Sequence, residues 1–461
     1  MEALSNKHLH IAHRKENSQI LSGWGHYNCI SCSTELPDAR SGLHACLGKA
    51  IDEAYLARGL GRSYGDAAVS ARARIIKTEK LNRLLRFDSN SGALSCEPGV
   101  TFEDILNTFV SRGWFPPVTP GTKHVTMGGA FAADIHGKNH HIDGSFSDFV
   151  ESIVLLDAAG QQTRCSRLEN ADLFWASAGG MGLTGLISEL TIKLRAVKSP
   201  HIKLKKIRCA NLNDTFNAIE KHEKEYHYSV SWIDALASGR AAGRSILILG
   251  SHAENPAGET SIARQNGRGA ITVPFDMPGW LLNRYSISAF NELYYSLSSA
   301  DGEDKLSHYE PYFYPLDSLS NWYRLYGRSG FIQYQCVLPL EKSREGMEEI
   351  LQMSSRSGRS SFLAVLKKFG AGHGFLSFPM PGYTLTLDMP VKHGLFEFTR
   401  QLDEIVIKYG GRVYLAKDSC VSAEDFRLMY RDRVEEWLKV KRAVDPANRF
   451  SSALSERLRL F

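Results

Sequence analysis

The residues best suited to chemistry fall into three glycine-rich segments. The first, Arg58-Gly-Leu-Gly-Arg-Ser-Tyr-Gly-Asp66, opens backbone N–H groups through its glycines and adds Arg and Ser donors, the composition of a phosphate-cradling loop. It lacks the Gly-Lys-Ser/Thr close of a Walker A loop. It also lacks the following helix that a dinucleotide fingerprint needs. The second, residues 120–141, is dominated at first by Gly, Thr and Ala, which suits a backbone pressed against a flat ligand. It ends in His136, Lys138, His140 and His141. No HxxxH pair lies on a helix there and Asp134 is the only carboxylate at ligand spacing, so the segment is read as holding no metal. The third, residues 174–187, reads as a helix end, a glycine loop and a strand.

These segments must be positioned by a large chain. Its 461 residues allow roughly two to four domains or one large two-part fold. A 43% hydrophobic and 23% charged composition excludes a disordered, collagen-like or multi-spanning protein. Lys plus Arg number 55 and Asp plus Glu 50, a net charge of +5, too weak a bias to imply nucleic acid. The first twenty residues hold no secretory apolar core and no stretch is long enough to span a bilayer, so a cytoplasmic protein is expected. Cys29 and Cys32 form the lone CxxC pair, and the eight cysteines are read as unlinked thiols.

The pattern between the glycine segments is α+β. Thr101 should cap a helix with Asp104 as its capping-box acid. Residues 152–157 and 162–165 read as a hairpin, and 186–194 alternate as a strand. Helices are expected over 172–177, 395–409 and 433–443, and strands over 74–77 and 412–417. Period two puts Gln333 with Gln335, and Thr384 with Thr386, on single strand faces. Alternation alone favours an antiparallel sheet with one wet face. The expected organisation is a tail at 1–19, a first domain at 20–195, an inserted domain at 196–408 and a return to the first domain over 409–461. Residues 271–282, apolar and broken by proline, are either a core loop or a flap beside a lipid tail at a membrane surface.

In order and spacing the three segments resemble the FAD-binding (PCMH-type) domain of the vanillyl-alcohol oxidase superfamily, and Asp445-Pro-Ala-Asn-Arg-Phe-Ser-Ser452 is similar to its closing signature. Gly59 to Asp66, Asp134 to His141, Phe331-Ile-Gln-Tyr-Gln335 and Tyr414-Leu-Ala-Lys-Asp-Ser419 more narrowly resemble the decaprenylphosphoryl-β-D-ribose 2′-oxidase family. The resemblance implies a two-subdomain FAD-binding domain with an inserted substrate domain built on an antiparallel sheet. It implies FAD contacts at Gly59, Gly61, Arg62, Ser63, Tyr64, Gly65, Gly121, Thr126, Gly128, Gly129, Ile135, His136, Ile187 and Tyr414. It gives Lys417 the task of stabilising negative charge on the reduced flavin or substrate. Lys138, Trp232, Tyr314, Gln333, Gln335, Lys367, Phe369, Thr384 and Thr386 would line the substrate pocket, with Lys138 or Lys367 meeting a phosphate. His136 or a solvent-connected route would take the hydroxyl proton.

The implied reaction oxidises the 2′-hydroxyl of a polyprenyl-phosphate-linked pentose, and a separate NAD(P)H-dependent short-chain reductase completes the epimerisation. Peripheral contact with the plasma membrane would follow from such a substrate. Arg62 stands where many relatives of the superfamily carry the flavin-linking histidine, so non-covalent FAD is expected. Thr384 and Thr386 replace the Asn and Cys of mycobacterial members, and Val230 replaces a pocket serine, which leaves the sugar and lipid preference open. The competing readings are an alditol or aldonolactone oxidase acting on free sugars, and a non-catalytic flavoprotein.

Overall fold

The structure is a computed structural model that describes residues 18–48, 53–254, 271–298, 302–359 and 362–461. The expected N-terminal tail lies outside these residues up to position 17. Two small sheets are built from the first part of the chain. In one, Ser18–Leu21, Ile30–Glu35, Arg74–Lys77 and Tyr55–Arg58 lie in that order. In the other, the order is Leu84–Asp88, Ala93–Cys96, Leu186–Lys193, Val150–Leu156 and Gln162–Ser166, with every pairing antiparallel. The helix Phe102–Phe109 starts at the expected capping box. Thr101 Oγ1 accepts from the Asp104 N–H at 3.1 Å, and Asp104 Oδ2 accepts from the Thr101 N–H at 2.9 Å. Its Phe102, Ile105, Leu106 and Phe109 stripe is buried.

An eight-stranded antiparallel sheet follows. Its order is Lys305–His308, His201–Cys209, Ser245–His252, Tyr228–Ile233, Ala364–Phe369, Gly382–Pro390, Phe331–Pro339 and Arg412–Val413. The strands Phe331–Pro339 and Gly382–Pro390 are buried along nearly their whole length. Helices Ser343–Ser357 and Leu395–Lys408 pack on one face of this pair, and the other face looks toward the glycine segments. The wet face suggested by alternation is therefore absent there: a second layer covers it.

The strand expected over 412–417 stops at Val413. Edge pairing to the neighbouring strand covers only Cys336–Val413 and Val337–Arg412. The chain then turns, with the N–H groups of Lys417 and Asp418 both donating to the Tyr414 carbonyl at 2.9 Å. Lys417 is thus a turn residue, aimed by the turn and not by strand alternation.

After adding Arg412–Val413 to the large sheet, the chain crosses back and bonds to all three glycine segments. The Tyr414 hydroxyl donates to the Ala133 carbonyl at 2.8 Å. Trp437 Nε1 donates to the Ala176 carbonyl at 2.9 Å, and buried Lys441 Nζ to the Leu183 carbonyl at 2.6 Å. Arg457 donates to both oxygens of Asp66, at 2.8 and 2.9 Å, and to Asp418 Oδ2 at 2.8 Å. Both carboxylates are buried. Replacing Arg457 by Leu leaves two buried carboxylates without their shared cation and should lower stability by about 3–5 kcal/mol. Urea unfolding measures it; a loss below about 1 kcal/mol would show that the pair is solvated and not held by Arg457.

Candidate active site

The glycine segments and the inner face of the large sheet enclose a cavity of about 900 Å³. This lies at the upper end of the roughly 300–1,000 Å³ usual for small-molecule and cofactor sites. Gly59 is required by packing, because a Cβ there would collide with Thr126 Oγ1. Gly61 has φ +65, and the space a side chain would take is filled by Arg58. Arg58 pins that loop by donating to the carbonyls of Ala68 and Ser22, each at 2.8 Å. The Arg62 guanidinium lies 4.0 Å over the Trp24 ring, and its Nε is buried without a protein partner.

On the opposite wall, cross-strand register sets one row of side chains. Trp232 pairs with Val365, Val365 with Thr386, and Thr386 with Gln335. All four line the cavity. The row runs from apolar to polar. Leu204, Val230 and Ile248 extend its apolar end, with Lys206 paired to Ile248 beside them; Gln333 and Lys417 stand at its polar end, and Lys367, two residues along the strand from Val365 and paired with Thr384, adjoins its middle.

The polar end is cationic. Burial pushes Lys417 down to about 7; Asp388 opposes that fall and Lys367 adds to it. Its Nζ sits 3.7 Å over the Tyr64 ring. Burial brings Lys367 to about 8, and burial with Lys367 nearby brings Lys138 to about 7. Lys138 Nζ donates to the Tyr312 carbonyl and lies 4.2 Å over the same residue's ring. Among the described residues none of these three lysines has a carboxylate within 4.0 Å. Asp388 is raised by burial to about 7 while accepting from Gln333 Nε2 at 2.5 Å and the Tyr326 hydroxyl at 3.3 Å.

His136 is neutral, because burial first, then Lys367, His140 and Lys417, hold it well below the usual histidine range. The Thr384 hydroxyl donates to the Cys336 carbonyl at 2.8 Å, so its oxygen accepts from Gln335 Nε2 at 3.1 Å. The remaining Gln335 N–H points to His136 Nε2 at 3.0 Å, which therefore accepts. The proton then sits on Nδ1, a buried atom with no protein partner. That tautomer makes His136 a donor, a poor acceptor for a hydroxyl proton. Lys417, near 7, exists in both forms at neutral pH: its ammonium can offset negative charge and its amine can accept a proton.

The structure gathers most of the expected residues around this cavity and leaves four out of its lining. Lining it are Gly59, Gly61, Arg62, Ser63, Tyr64, Gly121, Thr126, Gly128, Gly129, Ile135, His136, Ile187, Tyr414, Lys138, Trp232, Gln333, Gln335, Lys367, Thr386 and Lys417. Gly65 instead packs on the Asp418 carbonyl, where a Cβ would collide. Phe369 lies behind His136, with ring centroids 4.7 Å apart. Thr384 is covered by the Gln335 amide it receives. Tyr314 shares a 2.5 Å hydrogen bond with the lining residue Thr119 and stays behind it, and Tyr312 and Phe313 line the cavity instead. Trp24, Trp322 and Tyr294 also line it, and no motif of the sequence singled them out.

Comparison with known proteins agrees with this geometry. A family described as "FAD binding domain" matches residues 46–166, and one described as "D-arabinono-1,4-lactone oxidase" matches 386–458. The chain is 38% identical over 413 residues to decaprenylphosphoryl-beta-D-ribose oxidase of Mycolicibacterium smegmatis, covering 88% of this chain and 89% of that one. It is 21% identical to L-gulonolactone oxidase of Mus musculus, over 83% and 85% of the two chains. The structure of a xylooligosaccharide oxidase from Myceliophthora thermophila, with xylobiose, superposes with a TM-score of 0.66 at 15% identity, over 92% of this chain and 90% of that one. The residues present fit an FAD: glycines that admit a close ligand, and two buried donors, Arg62 Nε and His136 Nδ1, left for a partner outside the protein.

The lysines set a pH dependence for anion binding. Lys138 and Lys367 lose their protons at about 7 and 8 in the free protein, and a phosphate bound against them would hold them charged. Binding then takes up protons, and affinity falls as pH rises from 7 to 9, by up to about tenfold per unit for each lysine that titrates. Calorimetry of the holoenzyme with decyl phosphate in two buffers measures both effects. An affinity flat from pH 7 to 9 would show that neither lysine meets the phosphate.

Proposed function

This chain belongs to the decaprenylphosphoryl-β-D-ribose oxidase family of FAD-dependent oxidoreductases, and on that premise we propose that it oxidises the 2′-hydroxyl of a polyprenylphosphoryl-β-D-ribose to the 2′-keto sugar. The observation that carries this reading is the row Trp232–Val365–Thr386–Gln335, which joins a lysine-rich polar end to an apolar end in one cavity. An anionic sugar head with a hydrocarbon tail matches both ends. A free alditol or aldonolactone would leave the Leu204, Val230 and Ile248 end against water.

FAD is held non-covalently in this reading. Arg62 cannot form the histidine–flavin bond, and Gly59, Gly61, Gly121, Thr126, Gly128, Gly129 and Tyr414 would line the cofactor. When bound, FAD supplies the hydride acceptor for the carbinol carbon. The protein's residues do the rest. Gln335 and Thr386 orient the sugar hydroxyls. Lys138 and Lys367 hold the phosphate. Lys417, once protonated, offsets the negative charge that the hydride carries to its acceptor, and Asp388, fixed by Gln333 and Tyr326, favours that ammonium. The hydroxyl proton leaves to the amine form of Lys417 or to solvent, since His136 offers no free lone pair. A separate nicotinamide-dependent short-chain reductase returns the ketone to the alcohol of opposite configuration.

Farnesylphosphoryl ribose carrying deuterium at C2′ tests the assignment. Anaerobic flavin bleaching should slow about two- to sixfold with C2′ deuterium and stay unchanged with C3′ deuterium. A slowing only with C3′ deuterium would move the oxidation to another carbon. Acid precipitation should release all of the flavin into the supernatant. Lys417→Met should lower the bleaching rate by about 10²–10³, a loss on the scale of removing one donor to a developing charge.

A further inference from the structure

One helix is apolar on two faces. Arg284–Leu297 turns Ile287, Asn291 and Tyr294 inward, at i, i+4 and i+7. Asn291 Nδ2 donates to Asp234 at 2.7 Å, and Tyr294 packs edge-on to Trp232 with centroids 4.8 Å apart. The outward stripe is Phe290, Leu293 and Leu297, 47%, 59% and 77% exposed. The preceding loop adds Phe275 and Trp280, 60% and 72% exposed. Of residues 271–282 only Val273 is buried, so the segment is not a core loop. Single exposed apolar residues are ordinary, but a run of five large ones on adjoining elements marks an interaction surface.

This surface is continuous with the cavity. Phe290 is half exposed and also lines the apolar end, beside Tyr294 and Phe362, whose ring lies 5.4 Å away. Cations flank it. Arg284 opens the helix and lies along Gly358. Lys392 Nζ donates to the Leu282 carbonyl at 2.8 Å, and Arg359 to the His393 carbonyl at 2.9 Å. None of the three pairs with a carboxylate among the described residues. Of the two acids within 271–298, Glu292 is taken by Arg244 at 2.7 Å, leaving Asp276. Apolar side chains rimmed by unpaired cations match an anionic bilayer: the stripe enters the acyl boundary and the cations meet headgroups.

We propose that the helix Arg284–Leu297 and the loop 275–282 dock the protein on an anionic lipid bilayer, with the cavity mouth at Phe290 opening into the acyl layer. A lipid-tailed substrate then passes from the bilayer to the polar end of the cavity without exposing its tail to water. The inference rests on the lipid-linked substrate proposed above.

Co-sedimentation of the holoenzyme with vesicles, phosphatidylglycerol in phosphatidylcholine against phosphatidylcholine alone, tests it. The protein should sediment with the anionic vesicles and be released largely by 0.5 M salt. Leu293→Glu/Leu297→Glu should weaken vesicle binding at least tenfold, slow turnover of vesicle-borne decaprenylphosphoryl ribose to match, and leave turnover of water-soluble geranylphosphoryl ribose unchanged. Arg284→Ser/Lys392→Ser should weaken binding to the anionic vesicles only. Absence of vesicle binding, or undiminished binding by the Glu variant, overturns the docking face while geranylphosphoryl ribose turnover keeps the substrate assignment. Vesicle binding without turnover of the soluble substrate upholds the docking face and removes the substrate assignment instead.

Discussion

The seating of Lys417 against the first glycine segment depends on one guanidinium. Arg457 holds Asp66, which closes the first glycine segment, and Asp418, which follows Lys417, with three bonds of 2.8 to 2.9 Å. Its third nitrogen donates to the Val421 carbonyl at 2.6 Å. Two buried carboxylates would repel each other and resist burial; one shared cation removes both costs. The same contact sets the turn that carries Lys417 against the loop that carries Tyr64, whose ring lies under the Lys417 ammonium. Lys441 and Trp437 do similar work for the third glycine segment, and Tyr414 for the second. The last fifty residues are therefore the frame that brings three distant loops to one ligand.

The cavity's electrostatics follow from what is missing around it. Lys138, Lys367 and Lys417 share one desolvated space, and Asp388 is the nearest carboxylate to act on Lys417. Burial makes each ammonium costly, and their mutual repulsion adds to that cost. A site strained in this way gains most from an anion that enters it. The cation-rich end also limits His136 to its neutral form, which is why the Gln335–Thr384 chain can fix its tautomer.

Residue type and local spacing carried part of this arrangement. The glycine segments and the Thr101 capping box follow from short-range pattern, whereas Lys417 came from the family resemblance, and its expected strand proved to be a turn; the structure places them on one cavity or beside it. Period two correctly paired Gln333 with Gln335, but it could not tell which of Thr384 and Thr386 reaches the ligand. That depends on Gln335 folding over Thr384 from the next strand. Tyr314 and Tyr312 sit two residues apart across the end of the helix Tyr309–Phe313, and only the helix decides which of them faces Lys138. The family resemblance named Trp232 and Val230 for the pocket, but the row itself was not legible, because Trp232, Val365, Thr386 and Gln335 become neighbours only through the register of four strands.

In the proposed reaction one sheet face reads a charged head at one end and a hydrocarbon tail at the other. The most direct measurement is the anaerobic rate of flavin bleaching across phosphoryl riboses bearing no prenyl unit and then one to four. Efficiency should rise with the first units, as each removes water from Val230, Ile248 and Leu204, and then level off. A rate independent of tail length would contradict it, and would make the apolar end of the face a feature of packing alone.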